Sequence, residues 1–270
     1  MSAICTIAGN PDTYGLGIRT AVYLLWYAVL IGERLSERHA RTLRGAELIL
    51  ASVIFLGLAM TATAGHLHAA EVYIALLLVS GTVYLLVPRH TTDLVAWIHP
   101  KLRPRRQGDG FGIATVVRCL FVVIVIGLHL WFWTTGVDSA SIDRALREQF
   151  DGCRQLRQVG FAFGPVELRS GGFRALNILL MLALLAGGVL VGAMKARVMG
   201  KKRSRRRRRA NKLRLAILRE IETVGGLGLA SVLVAGIELS IQWNGVPAAS
   251  VNQVSTAAQL VPLLFVNFFF

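Results

Sequence analysis

The stretch IATVVRCLFVVIVIGLHLWFWTT, residues 113–135, decides the fold of this chain. Its 23 residues include one arginine, one histidine and no acidic side chain. A membrane-spanning α-helix needs about 20 consecutive apolar residues, because each residue rises about 1.5 Å through a hydrocarbon core roughly 30 Å thick. The stretch is therefore long enough and apolar enough to cross a bilayer.

Further apolar stretches of comparable length lie on both sides of it, at residues 14–32, 46–65, 71–87, 173–194 and 224–243. The stretch 71–87 is near the lower length limit. A last stretch, 254–270, is short and ends in three phenylalanines, so it is a marginal membrane segment. The sequence predicts about seven transmembrane helices, the seventh of them marginal.

The composition of the whole chain supports a membrane protein. Hydrophobic residues make up 54% of it, charged residues 17%, and the mean hydropathy is +0.56, whereas soluble domains carry about 25% charged residues. Strands of a membrane barrel would alternate apolar and polar residues over about 10 positions, but the runs here are continuous. Only helices and closed barrels satisfy their own backbone polar groups in lipid. We therefore predict an all-α, polytopic membrane helix bundle, one unit over residues 1–270.

The distribution of lysine and arginine predicts the orientation. The loops predicted on one side of the membrane contain 22 Lys and Arg residues, and those on the other side contain 5. Cytoplasmic loops carry the excess of basic residues. The N-terminus is then outside and, with seven helices, the C-terminus is inside. Residues 1–13 contain no Lys or Arg, so they lack the basic region of a cleaved signal peptide. We expect an integral protein of the plasma membrane or of a secretory-pathway membrane.

The segment 195–223 carries 13 of these basic residues and is predicted to be a cytosolic loop. Tethered between two membrane helices, it would lie close to the anionic inner leaflet, which attracts Lys and Arg. Alternatively, it is a solvated loop that only sets the orientation. Nucleic acid is not an expected partner, because base recognition needs a folded reader. The candidate lipid contacts are Lys201, Lys202, Arg203, Arg205, Arg206, Arg207, Arg208 and Arg209.

The longest outer loop, residues 136–172, has two features of interest. Within it, residues 139–159 repeat apolar side chains at close to helical spacing, which predicts an amphipathic surface helix. The loop also contains Cys153, on the same predicted side as Cys5 in the N-terminal tail. An oxidising outer compartment would allow a Cys5–Cys153 bridge, and two free thiols are the alternative.

Charged and polar residues inside apolar stretches are candidates for function, because burying them in lipid is costly. Arg19 and Glu238 lie at similar predicted depths in the first and sixth helices, and His129 lies in the fourth. Each of the two charges belongs to a stripe at helical spacing that should face protein: Gly15, Arg19, Tyr23 and Tyr27; and Gly228, Ser231, Ala235, Glu238 and Gln242. Arg19 and Glu238 could therefore pair, the alternative being that Arg19 extends to the membrane surface.

Two stretches resemble signatures of a family of multi-pass membrane proteins from filamentous ascomycete fungi. The first is GNPDTYGLGIR (residues 9–19) followed by YLLW (23–26), and the second is ELSIQWN (238–244) followed by STAAQLVPL (255–263). The chain departs from that pattern at Ala257 and Ala258, where a glycine is expected before Gln259. The family has no assigned activity. The resemblance implies one outward-facing set of residues: Asn10, Asp12, Gly15, Gly17, Arg19, Glu238, Asn244 and Gln259.

These observations favour transport or conduction of an ion or small solute, because the sequence has intramembrane charges and segments that Gly225-Gly226 and Pro262 could interrupt. A seven-helix receptor is the main alternative, followed by a scaffold. An enzyme is less favoured, because the sequence contains no metalloprotease, nucleophile-elbow or phosphate-loop motif. We expect no cofactor and no metal site. His66, His68 and Glu71 near one turn could bind zinc, but three residues in a short turn are a weak signal, and solvated loop histidines are favoured. The candidate ligand-binding residues are Asp12, Arg19, His129, Glu238, Gln242, Asn244 and Gln259.

Overall fold

A computed structural model describes residues 9–63, 68–98, 113–138, 158–199, 212–247, 251–254 and 256–267. Nine α-helices lie in these ranges: α1 (Pro11–Tyr14), α2 (Leu16–Leu35), α3 (Glu37–Thr63), α4 (Ala69–Tyr84), α5 (Val87–Ile98), α6 (Ile113–Thr134), α7 (Gly171–Met199), α8 (Lys212–Trp243) and α9 (Ala257–Asn267). Strands β1 (Val159–Phe161) and β2 (Pro165–Glu167) form an antiparallel hairpin.

Six spans in the described residues are long and apolar enough to cross a membrane, and they correspond to the first six predicted helices. The third is longer than predicted, Ala69–Val95, because α5 follows α4 after only Leu85 and Leu86. Pro88 is tolerated there, since it occupies the first turn of α5, where no backbone N–H donor is needed. The predicted seventh segment contains α9, whose 11 described residues cover about half of a hydrocarbon core.

The helix that carries Arg19 begins with a break at Gly15. Asn10 caps α1, because its side chain accepts a 3.0 Å hydrogen bond from the Asp12 N–H, and Pro11 follows at the first helical position, an arrangement typical of helix starts. Gly15 has an extended conformation (φ −61°, ψ 164°), so α2 starts anew at Leu16. The predicted interruption at Gly225-Gly226 is wrong, because α8 runs through both residues.

Helix α4 forms the centre of the bundle. In the most apolar part of the third span 83% of the residues are buried, against 11% in the fifth, which contains α7. Helix α2 packs closely on α4 at Gly81, where an added Cβ would lie 1.9 Å from Cζ2 of Trp26. The missing side chain at Gly81 leaves room for the indole ring; small residues commonly allow such packing between membrane helices.

Polar contacts define the two ends of the bundle. At the end where α2 and α4 begin, here called the Arg19 end, the Tyr14 hydroxyl donates to Glu71 at 2.9 Å. At the other end, here called the Arg34 end, Arg34 forms an ion pair with Glu220 and donates to Thr223 at 2.7 Å. Earlier in α2, Arg19 contacts Glu238 and Tyr27 contacts Ser231 of α8. The partners in α8 have falling residue numbers as α2 proceeds, so the two helices are antiparallel.

The hairpin of β1 and β2 was not predicted and lies over the Arg19 end. The Phe161 N–H donates to the Tyr73 hydroxyl at the start of α4, at 3.2 Å. Gly160 faces Leu168 and Phe173, and an added Cβ would lie 2.8 Å from side-chain atoms of both. Three-residue strands are too short for the periodicity of a sequence to reveal.

Several predicted features fall outside the described residues. These are Cys5, Cys153, the candidate lipid contacts from Lys201 to Arg209 and most of the predicted amphipathic helix, residues 139–157. Within the predicted basic loop, α7 continues to Met199 and α8 begins at Lys212.

Candidate functional site

Arg19 forms the buried half of a charge pair between α2 and α8. Its Nη1 donates to Oε2 of Glu238 at 2.5 Å, and its Nη2 donates to Oδ1 of Asn252 at 2.6 Å. The Arg19 side chain is only 1% exposed. It therefore points into the bundle, toward Glu238 and Asn252, which favours pairing over the alternative.

Glu238 forms the accessible half. Its second oxygen, Oε1, accepts a 2.8 Å hydrogen bond from the Tyr23 hydroxyl, so both carboxylate oxygens are bonded to α2. The Glu238 side chain is nevertheless 45% exposed. The arrangement is thus an enclosed guanidinium paired with a half-exposed carboxylate.

The stripe on α8 that was predicted to face protein does not do so within this chain. Its members are all exposed: Gly228, Ser231, Ala235, Glu238 and Gln242. The reason is that α2 lies beside this stripe and reaches it only with long side chains. Tyr27, for example, bonds Ser231 through its hydroxyl at 2.9 Å, just as Tyr23 bonds Glu238. The exposed stripe of α8, from Gly228 to Gln242, therefore runs alongside α2 and is only partly covered by it; it is here called the seam.

Helix α9 places Gln259 against the break between α1 and α2. A Cβ on Gly15 would lie 2.6 Å from the Gln259 side chain, and one on Gly17 would lie 2.3 Å from its carbonyl oxygen. Gln259 is fully buried, and its amide atoms have no hydrogen-bond partner among the described residues. Beside it, the Thr256 hydroxyl donates to Asp12 at 3.1 Å. The structure therefore gathers Asp12, Arg19, Glu238 and Gln259 at one end of the bundle.

Two of the three remaining predicted residues, His129 and Asn244, are bonded to other parts of the bundle. His129 is buried in α6 and forms a hydrogen bond with Ser80 of α4. Asn244 is bonded to the hairpin, since its Nδ2 donates to the Val159 carbonyl at 2.8 Å and its Oδ1 accepts from the Val159 N–H at 3.0 Å. Gln242 is exposed on the seam of α8. His129 and Asn244 therefore have structural partners, and only Gln242 remains available beside Glu238.

Sequence reasoning missed Tyr14 and Asn252 and misjudged His68. Glu71 is buried: its Oε1 accepts from Tyr14, and its Oε2 accepts from the His68 N–H at 3.2 Å. His68 is also buried, so the expectation of a solvated histidine is wrong for this residue. The spacing of three between His68 and Glu71 is that of a capping box, which could have revealed the start of α4. In the part of the chain that the structure describes, no three metal-binding side chains lie together.

The two sequence signatures, far apart in the chain, meet in space. Arg19 of the first signature contacts Glu238 of the second. Gly15 and Gly17 of the first pack against Gln259 of the second. No family model, curated protein or solved structure matches the chain. The resemblance to the fungal family, drawn from the sequence, therefore stays a prediction.

Proposed function

We propose that this membrane protein transports or conducts an ion or small solute, and that the Arg19–Glu238 pair is the polar centre of its site. One observation carries the proposal: a fully buried guanidinium is paired with a half-exposed carboxylate, and both belong to membrane spans. Ionisable groups in membrane spans are costly, and they commonly mark pathways for ions and substrates.

The accessible atoms suggest what the site would take. Glu238 offers carboxylate oxygens and Gln242, four residues later on the same helix, offers an amide. Asp12 adds a second carboxylate at the same end. These groups would favour a cation, or a solute rich in N–H and O–H donors, that competes with Arg19 for Glu238.

We further propose that the Arg19 end faces outward. The support is the excess of Lys and Arg in the loops at the other end, 22 against 5, which the positive-inside rule places in the cytoplasm. In this orientation α9 belongs to a seventh, marginal span that leads the C-terminus inward. The basic residues 201–209 would then contact anionic lipid of the inner leaflet, in the plasma membrane or a secretory-pathway membrane.

Flux measurements on purified protein in lipid vesicles test this function. Gradients of sodium, potassium, chloride or protons would be imposed, and the resulting currents or dye signals compared with those of protein-free vesicles. We expect Glu238→Gln to reduce the flux, whereas Glu220→Gln, which changes an exposed carboxylate at the Arg34 end of the same helix, should leave it unchanged. Flux equal to that of protein-free vesicles, or equal in both variants, would overturn the proposal.

A further inference from the structure

We propose that Glu47 is a proton-binding site inside the bundle and that it couples transport to the proton. The coupling rests on the proposed transport function, whereas proton binding does not. Glu47 lies in α3, within the second span, His39–Thr61, and three residues after Arg44. Carboxylates inside membrane spans commonly belong to proton relays.

Glu47 faces a small cavity between α2, α3 and α4. The residue is 5% exposed, and its Oε1 has no hydrogen-bond partner within the described part of the chain. The cavity is about the size of one water molecule. Apart from Glu47, Thr82 and Trp26 are the lining residues that carry a polar atom, a hydroxyl and an indole N–H; the others are apolar: Val22, Leu25, Leu50, Ala51 and Leu78.

The chemistry of the cavity fits a proton better than a metal ion. A cation such as Ca²⁺ takes about six to eight oxygen ligands, and this lining offers one carboxylate and one hydroxyl. An ionised carboxylate whose oxygen lacks a partner in apolar surroundings is costly. Binding a proton removes that charge and supplies an O–H group. This group can donate a hydrogen bond to a water molecule in the cavity.

Charged groups near Glu47 lie toward the Arg34 end. Arg44, three residues earlier on α3, donates to Glu33 of α2 through Nε at 3.0 Å and Nη2 at 2.5 Å, and Arg89 lies 3.7 Å from the same Glu33 oxygen. Arg118 of α6, Arg44 and Glu33 all act electrostatically on Glu47. The two arginines favour the ionised carboxylate, and the apolar lining favours the protonated one. Glu47 can therefore exist in either form.

The same groups suggest the side from which the proton arrives. Trp26 lines the cavity and lies against Gly81 of α4. Toward the Arg34 end, the charges of Arg44, Glu33 and Arg89 lead to the edge of the bundle. A hydronium ion would give up a proton there, leaving water, and the proton would form an O–H bond to one Glu47 oxygen. Release reverses the same step.

Infrared difference spectroscopy of the reconstituted protein tests proton binding without any transport assay. We expect a pH-dependent C=O band of a protonated carboxylic acid, lost in Glu47→Gln, shifted in Glu47→Asp and retained in Glu238→Gln. The Asp variant keeps a carboxyl group, so a shifted band would show that the site is intact even if the Gln variant failed to fold. A band unchanged in Glu47→Gln, or no pH-dependent band in the unaltered protein, would overturn the proton site.

Flux driven by an imposed pH gradient tests the coupling separately. In Glu47→Gln we expect the pH-driven component to fall to that of protein-free vesicles. If the unaltered protein shows the Glu47 band but no flux, the proton site stands and the transport function fails. If it shows flux whose response to the pH gradient is the same in Glu47→Gln, transport stands and the coupling is overturned.

Discussion

Replacing Glu238 by glutamine should destabilise the protein more than its partial exposure alone suggests. The substitution leaves a guanidinium that is 1% exposed without its carboxylate. Breaking a buried ion pair costs about 3–5 kcal/mol, but glutamine can still accept a hydrogen bond and Asn252 still bonds Arg19. We therefore expect a loss of about 2–3 kcal/mol in the free energy of unfolding.

The reciprocal substitution, Arg19→Gln, should cost less on electrostatic grounds. It leaves Glu238 half exposed and still bonded by the Tyr23 hydroxyl, so we expect a loss of about 1–2 kcal/mol. The double variant removes both charges. It should be more stable than the sum of the two losses implies, with a coupling energy of about 1–2 kcal/mol.

Equilibrium unfolding in mixed detergent micelles, followed by the fluorescence of the five tryptophans, gives each free energy. The matched control is the same cycle on Arg34 and Glu220, a pair between the same two helices whose side chains are 29% and 65% exposed. Exposed pairs contribute about 0–1 kcal/mol, so its coupling should be smaller. Additive effects at Arg19 and Glu238, or equal coupling in the two cycles, would refute the reasoning.

Further predictions concern packing, orientation and the cysteines. Gly81→Ala should destabilise the protein by about 1–3 kcal/mol through overpacking, whereas Gly57→Ala, which has open space, should be neutral or stabilising when unfolded under the same conditions. A tag inserted at Ser204 should be protected from protease added outside intact cells, and cleavage there would reverse the orientation. Non-reducing peptide mapping of protein from the native membrane should recover a Cys5–Cys153 bridge, which two free thiols would disprove.

The spans could be predicted because lipid makes the signal simple. A backbone in hydrocarbon must form its own hydrogen bonds. A continuous apolar run of sufficient length therefore forms a helix. The same constraint explains the error at Gly225-Gly226, where a flexible pair remains helical within α8. The contact between Arg19 and Glu238 was also within reach, because each lies on a stripe of helical spacing at a similar depth.

Other features depend on tertiary packing and left no such signal. Glu47 stands among the arginines and other polar residues at the start of α3, so it resembles part of a solvated flank until the structure buries it. Asn252 comes to Arg19 from a short segment outside the helices. The exposure of the α8 stripe depends on where α2 and α9 pack, which the periodicity of a single helix does not determine.

The most direct test of an outward-facing site is the effect of a membrane-impermeant thiol reagent on flux through Gln242→Cys. Gln242 is exposed and lies four residues after Glu238 on the same helix. Reagent added from the outer side should inhibit flux in this variant and leave the parent chain, treated in the same way, unaffected. Inhibition only from the inner side, or full modification without any change in flux, would contradict a transport site at the Arg19–Glu238 pair.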